Sequence, residues 1–138
     1  MITGGEVIVM MQFSLLTPDG ELYSAQVEEV TAQGSEGELG ILPDHISLVT
    51  SLKVAPLRIK SNGHESRFAV YGGMLQVNQN KVTILADDAQ LPEHIDRQQA
   101  VSRRDQLQSQ LNRASNESEV AALQQQLGVV EVQLEVVS

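Results

Sequence analysis

The chain has no cysteine and no tryptophan, and only two Phe and two Tyr among its 138 residues. Without cysteine there can be no disulfide, no thiolate nucleophile and no Cys-ligated zinc or iron–sulfur centre. So few aromatic rings argue against a surface that stacks bases or sugars. Basic residues are also scarce: Lys and Arg total 9 against 18 Asp and Glu, a formal charge of −9 at pH 7. A chain of this sign does not displace counterions from nucleic acid, and an anionic membrane surface repels it. No apolar run is long enough to span a bilayer as a helix. The opening MITGGEVIVMM lacks a basic stretch and a long apolar core, so residues 1–11 read as an N-terminal extension and not as a secretory signal. The lack of both cysteine and signal predicts a cytoplasmic protein. Hydrophobic residues make up 41%, which is enough to build a core.

The patterning divides the chain in two. Residues 12–91 alternate short apolar segments with turn signals: Thr17-Pro18-Asp19-Gly20, the glycine-rich Gly34–Gly40, Asn62-Gly63, Gly72-Gly73 and Asn78–Asn80. In Ala55–Ser61, Leu57 and Ile59 alternate with Arg58 and Lys60, the period of a half-buried strand. Asn-Gly between two such runs is the strongest short hairpin signal. The expectation is an antiparallel β-sandwich. From residue 92 to 138 the period changes. Pro92 suits the first turn of a helix. Ala100, Arg104, Leu107, Leu111 and Ala114 step by three and four, as do Val120, Leu123, Leu127, Val130, Leu134 and Val137. Asn116 followed by Glu119 resembles a capping box. Two helices joined near 114–118 therefore fold back as an antiparallel hairpin. Its thin seam, Arg104 at a core-type position and Gly128 make it marginal by itself, so it needs the sandwich or a partner.

Four blocks in order carry a family resemblance. Gly34-Ser35-Glu36-Gly37-Glu38-Leu39-Gly40-Ile41-Leu42-Pro43-Asp44-His45 resembles the G-S-x-G-E-L-G-I-L-P-G-H segment of bacterial F-type ATP synthase epsilon subunits. Leu15–Ser24, Tyr71–Val77 and Asn80–Asp87 resemble the opening strand and the S-G-G-x-L-E-V and N-K-V-T-V-L-A-D stretches of the same family. The resemblance implies a β-sandwich of about ten strands followed by a two-helix hairpin. It also implies a non-catalytic central-stalk subunit that couples proton or sodium flow to ATP synthesis at the cytoplasmic face of the membrane. Its partners would be the gamma subunit and the c-ring, with the alpha/beta hexamer reached through a mobile hairpin that modulates ATP hydrolysis.

The resemblance assigns Glu38, Leu39, Gly40 and Ile41 to the c-ring and His45 to gamma. Asp44 stands where the family has Gly, and a non-glycine residue there disfavours a left-handed backbone. Asp44, His45 and Ser47 do not make a hydrolytic triad, because neighbouring residues on a strand point to opposite faces. The three histidines show no metal-binding spacing. Gly34–Gly40 is acidic and lacks a following G-K-[ST], so it is no phosphate cradle. Some family members bind ATP through an I/L-D-x-x-R-A motif. Here Ile95, Asp96 and Ala100 match, but Gln99 replaces the Arg and its fixed fork of donors. Asp96, Arg103 and Arg104 are left as a weak nucleotide site, and no cofactor is expected.

The second helix carries Glu117, Glu119, Glu131 and Glu135 and no cation, unlike the basic inhibitory helix of the family. Like charges meeting in an interface repel, so weak inhibition is expected. Two other readings compete: an ATP-responsive sensor, and a stand-alone β-sandwich adaptor dimerising through the Val120–Val137 seam. The stalk-subunit reading predicts an isolated monomer.

Overall fold

The computed structural model describes residues 9–44 and 47–138. The expected extension over 1–11 thus lies largely outside the described residues, although Met11 already belongs to the first strand. Eight strands come first: β1 Met11–Thr17, β2 Gly20–Val27, β3 Glu29–Gly34, β4 Gly37–Ile41, β5 Leu48–Ser61, β6 His64–Asn78, β7 Lys81–Ala86 and β8 Ala89–Gln90. A 3-10 turn at Pro92–His94 leads to helices α1 Arg97–Arg113 and α2 Glu117–Val136.

The strands form one continuous sheet in the order β2-β1-β7-β6-β5-β3-β4, with β8 on β6. Strands β5 and β6 are long, and each serves two layers. Their outer halves, Val54–Ser61 and His64–Tyr71, pair on one side of a break opposite Gly72, and Leu48–Leu52 pairs with Gly73–Val77 on the other. This accounts for the expectation of about ten strands, since each long strand reads in sequence as two short ones. Among the described residues all strand pairings but one are antiparallel; β1 runs parallel to β7, with Phe13 beside Val82 and Leu15 beside Ile84. The expected antiparallel sandwich is thus found, with that one parallel pair as its exception.

Alternation explains the core. Met11, Phe13 and Leu15 of β1 are fully buried and meet Val30, Ile41, Leu57, Ile59, Phe68, Leu75, Val77, Val82 and Ile84 from the other strands. Each such large side chain contributes about 1.5–3 kcal/mol by leaving water. The rings of Phe13 and Tyr23 lie 6.3 Å apart and those of Tyr23 and Phe68 4.8 Å apart, so three of the four aromatics tie the two layers together.

The bend depends on glycine. Gly72 and Gly73 have φ of 86° and 141°, in the region L side chains avoid. At Gly73 a Cβ would sit 2.3 Å from the Leu85 carbonyl oxygen, so β7 packs directly on bare backbone. Asn62 and Gly63 both take positive φ, 53° and 79°, as a two-residue hairpin turn requires.

Pro92 does not start α1. It opens the separate 3-10 turn, and the helix begins at Arg97 behind Asp96, whose carboxylate accepts from the Gln99 amide at 3.1 Å. Asn116 caps α2 in the same way, accepting from the Glu119 amide at 2.8 Å. The two seams meet as expected: Ala100 and Leu107 pack with Leu123 and Val130. The surprise is a second apolar face on α2. Val132 and Val136 pack on Ala69 of β6, with Tyr71 and Ile95 alongside. The hairpin therefore lies on the outer face of the layer containing the outer halves of β5 and β6.

Gly73→Ala should lower stability by about 2 kcal/mol or more, since both its φ and the β7 backbone oppose a side chain. Gly40→Ala, where nothing lies within 4 Å of the added carbon, should stay within about 0.5 kcal/mol of the parent. Urea denaturation of both variants checks the contrast.

Candidate functional site

The Gly34–Gly40 segment reads in sequence as a glycine-rich loop but folds as a tight hairpin. Gly34 stands opposite Gly37, and Gln33, Ala32 and Thr31 stand opposite Glu38, Leu39 and Gly40. Glu38 projects from the outer face. Its carboxylate accepts from Gln33 Nε2 at 3.0 Å and pairs with Arg58 Nη2 at 3.3 Å. Both ionic partners are about half exposed, so the pair orients Glu38 more than it stabilises the fold. Leu39 is half-buried against the core, and Gly40 leaves open space over the strand. Ile41 is fully buried, so its side chain fills the core and only its backbone is available to a partner.

Asp44 adopts the left-handed conformation after all, with φ of 65°. Asp is among the residues that tolerate this region, and here a side chain holds it. The Asp44 amide donates to Asn80 Oδ1 at 2.7 Å, and Asn80 Nδ2 donates back to Asp44 Oδ1 at 3.4 Å. The β6–β7 turn thus clamps the segment leading to residue 45. His45 itself lies outside the described residues.

Of the three residues singled out for nucleotide, two come together. Asp96 and Arg103 line a groove of about 720 Å³ between the start of α1 and the sandwich, along with Gln99, Gln106, Gln90 and Gln133. Arg104 does not reach it and pairs instead with Asp105 at 3.4 Å. Arg103 already donates to Gln126 of α2 at 2.8 Å, and Asp96 is engaged as the helix cap. One occupied guanidinium among neutral amides offers little to a polyphosphate. Among the described residues no group of three or more His, Asp or Glu is placed to hold a metal ion, and no helix is long and apolar enough to cross a membrane.

Two features were not legible from motifs. The first is an apolar outer face on the layer away from the helices. Met74 stands opposite Leu85 on β7 and Ser51 on β5, and Leu85 is beside the half-buried Leu16 of β1. Met74 is 42% exposed, Leu85 50% and the neighbouring Val49 63%. Strand alternation places all four side chains on one face, and the signal in the sequence was the outward phase of strands whose inward phase is also apolar. The second is a polar junction beneath α2. The Tyr71 hydroxyl donates to Gln90 Oε1, which also accepts from Gln133 Nε2 of α2 at 3.0 Å. Burial raises the Tyr71 phenol above its usual pKa of 10.0; the Gln133 amide partly offsets this and the Asp88 carboxylate adds to it.

Comparison with known proteins gives a consistent picture. The family described as "ATP synthase, Delta/Epsilon chain, beta-sandwich domain" matches residues 10–92. The ATP synthase epsilon chain of Brevibacillus brevis is 46% identical over 102 residues, covering 73% of this chain and 77% of the relative. That of Bacillus subtilis is 38% identical over 110 residues, covering 80% and 83%. Among solved structures, a chain of the Euglena gracilis mitochondrial ATP synthase (OSCP/F1/c-ring, rotational state 1) superposes with a TM-score of 0.82 at 20% identity, covering 100% of this chain and 88% of that one. At that identity the match speaks for the shared fold alone.

Two outcomes are expected. Asn80→Ala removes the clamp on Asp44 and should cost about 1 kcal/mol, with Asp44→Gly restoring most of it in the same background; thermal denaturation measures both. The raised Tyr71 phenol supplies stability that is complete below pH 10.0 and is lost as pH rises through its folded-state value. Tyr71→Phe should remove that alkaline step from a stability–pH profile.

Proposed function

The chain belongs to the ATP synthase delta/epsilon family, and from that premise we propose that it is a non-catalytic subunit of the central stalk of an F-type ATP synthase. It couples ion flow to ATP synthesis by transmitting rotation, at the cytoplasmic face of the membrane and without an active site or bound cofactor of its own. The observation that carries this reading is the apolar outer face of Leu16, Val49, Met74 and Leu85. Exposed apolar side chains that adjoin across four strands mark a contact surface. The hairpin leaves that face uncovered, because α2 packs on the other layer. The gamma subunit is the proposed partner of this region, with His45 nearby in sequence to the clamped Asp44. The Glu38–Gly40 edge of β4 is the proposed contact with the c-ring, where Gly40 permits close approach and Ile41 supports the strand from within the core.

The hairpin is proposed as the regulatory part. Its attachment to the sandwich rests on Val132, Val136 and the Gln133–Gln90 hydrogen bond, a small contact for a two-helix unit. Elements with so few buried contacts open at low cost. Because α2 presents Glu117, Glu119, Glu131 and Glu135 without a cation, contact with an acidic segment of the catalytic hexamer is repulsive, and inhibition of hydrolysis is weak. ATP binding in the Asp96–Arg103 groove is feeble in this reading, and Gln99→Arg should strengthen it.

Reconstitution with the cognate gamma subunit, c-ring and alpha/beta hexamer tests the proposal. Met74→Glu together with Leu85→Glu should abolish capture by gamma while the chain still folds. Truncation after Leu91 should change the ATPase rate of the assembled enzyme by no more than about twofold. Undiminished capture of the double variant would refute the proposed gamma surface, and a many-fold rise in rate on truncation would refute weak inhibition.

A further inference from the structure

The outer face on which α2 rests contains an arrangement that strand pairing alone does not favour. Arg58 of β5 and Arg67 of β6 stand directly opposite each other, two like charges on neighbouring strands. Such pairs are destabilising unless something neutralises them. Lys60 lies on the same face two residues along, so three of the chain's nine cations gather here in an acidic protein. On the helix side the complementary oddity appears. Glu131 and Glu135 are four residues apart on α2, another like-charge pair, and they flank the Val132–Val136 stripe that touches the sheet. The two meet at one place. Glu135, Arg58, Arg67, Glu38, Gln33 and Pro56 enclose a polar cavity of about 280 Å³ between α2 and the sheet. Within it Arg58 pairs with Glu38 at 3.3 Å, while Arg67 pairs at 3.1 Å with Glu65, which lies outside the cavity.

We propose that the Arg58–Arg67 pair is an electrostatic seat for the acidic second helix, and that Glu38 and Glu135 compete for Arg58. Glu38 and Glu65 already pair with the two guanidinium groups, and Glu135 brings a further carboxylate to the same cavity. Glu38 engages one of the five donors of the guanidinium fork, while Glu135 lines the same cavity without an ion pair to Arg58. Docking of the helix brings Glu135 to the cavity, where its charge pulls on Arg58 against the pairing with Glu38; undocking leaves Arg58 to Glu38 alone. Coupling of this kind is reciprocal: whatever engages Glu38 from outside frees Arg58 for Glu135 and favours the docked hairpin. The inference concerns the isolated chain and does not require the assignment of Glu38 to a particular partner.

The absence of native cysteine allows clean labelling. Asn78→Cys on β6 and Ser118→Cys on α2, both exposed, take a dye pair whose energy transfer distinguishes docked from undocked hairpins. A Val136→Ala background brings the undocked fraction into measurable range. At low ionic strength Arg58→Gln and Glu135→Gln should each raise the undocked-to-docked ratio about two- to fivefold, and together little more than either alone. Glu38→Gln should lower the ratio, because it releases Arg58 to the helix. At about 0.5 M salt the differences should collapse. The seat is refuted if Arg58→Gln and Glu135→Gln leave the ratio unchanged at low salt. Competition is refuted if Glu38→Gln raises the ratio as Arg58→Gln does. Failure of gamma capture in the reconstitution above would leave these ratios untouched, so the two ideas fail separately.

Discussion

The close approach of β7 to bare backbone at Gly73 is the constraint from which the rest of the structure follows. Because no Cβ fits there, β6 can turn out of one layer and into the other without ending, and β5 bends with it through Lys53. The sheet then closes over its own inner face, so that residues distant along the sheet, such as Met11 and Ile41, share one core. The same bend separates two outer faces. One layer shows Met74 and Leu85 to solvent, and the other supplies Ala69 and Tyr71 as a floor for α2. A single steric requirement thus separates the apolar outer face of the sandwich from its hairpin-bearing side.

The two faces differ in how they hold what touches them. The apolar face is broad and made of strand side chains fixed by pairing on both sides, a geometry suited to a lasting contact. The hairpin face combines a narrow apolar contact, one amide hydrogen bond and a charged rim. Its apolar part is short-ranged and insensitive to salt, whereas the Arg58–Arg67 rim acts over about a Debye length and is screened by ions. Attachment of this mixed kind can order a marginal helical pair and still be reversed, as the regulatory role proposed for the hairpin requires.

Much of the architecture was legible before any coordinates, for identifiable reasons. Asn62-Gly63 announced a hairpin because both positions need positive φ. The 3-4 steps of Leu107, Leu111, Leu123 and Leu127 announced the helix seam because helical periodicity places them in one line. Other elements were misread where a local signal was ambiguous. Pro92 is equally at home opening a 3-10 turn or an α-helix, and the capping carboxylate of Asp96 decided between them. Glu38 and Gly40 looked like loop residues because glycine is common in loops, yet pairing with β3 draws them into a strand. Asp44 looked incompatible with a left-handed backbone until Asn80, thirty-six residues away, supplied the hydrogen bonds that hold it there.

By itself the sequence determined the division into a strand-rich half and a helical half, the turns between strands, the Asn116 helix cap and the absence of disulfide or thiolate chemistry. These depend on interactions within a few residues or on composition, both of which survive in a linear string. Only the tertiary structure decided that β1 lies parallel to β7, that α2 has a second buried face, that Ile41 is core while Glu38 is surface, and that Arg58 and Arg67 face Glu135. Those outcomes depend on which distant segments pack together, and packing is settled by burial of the whole apolar surface at once.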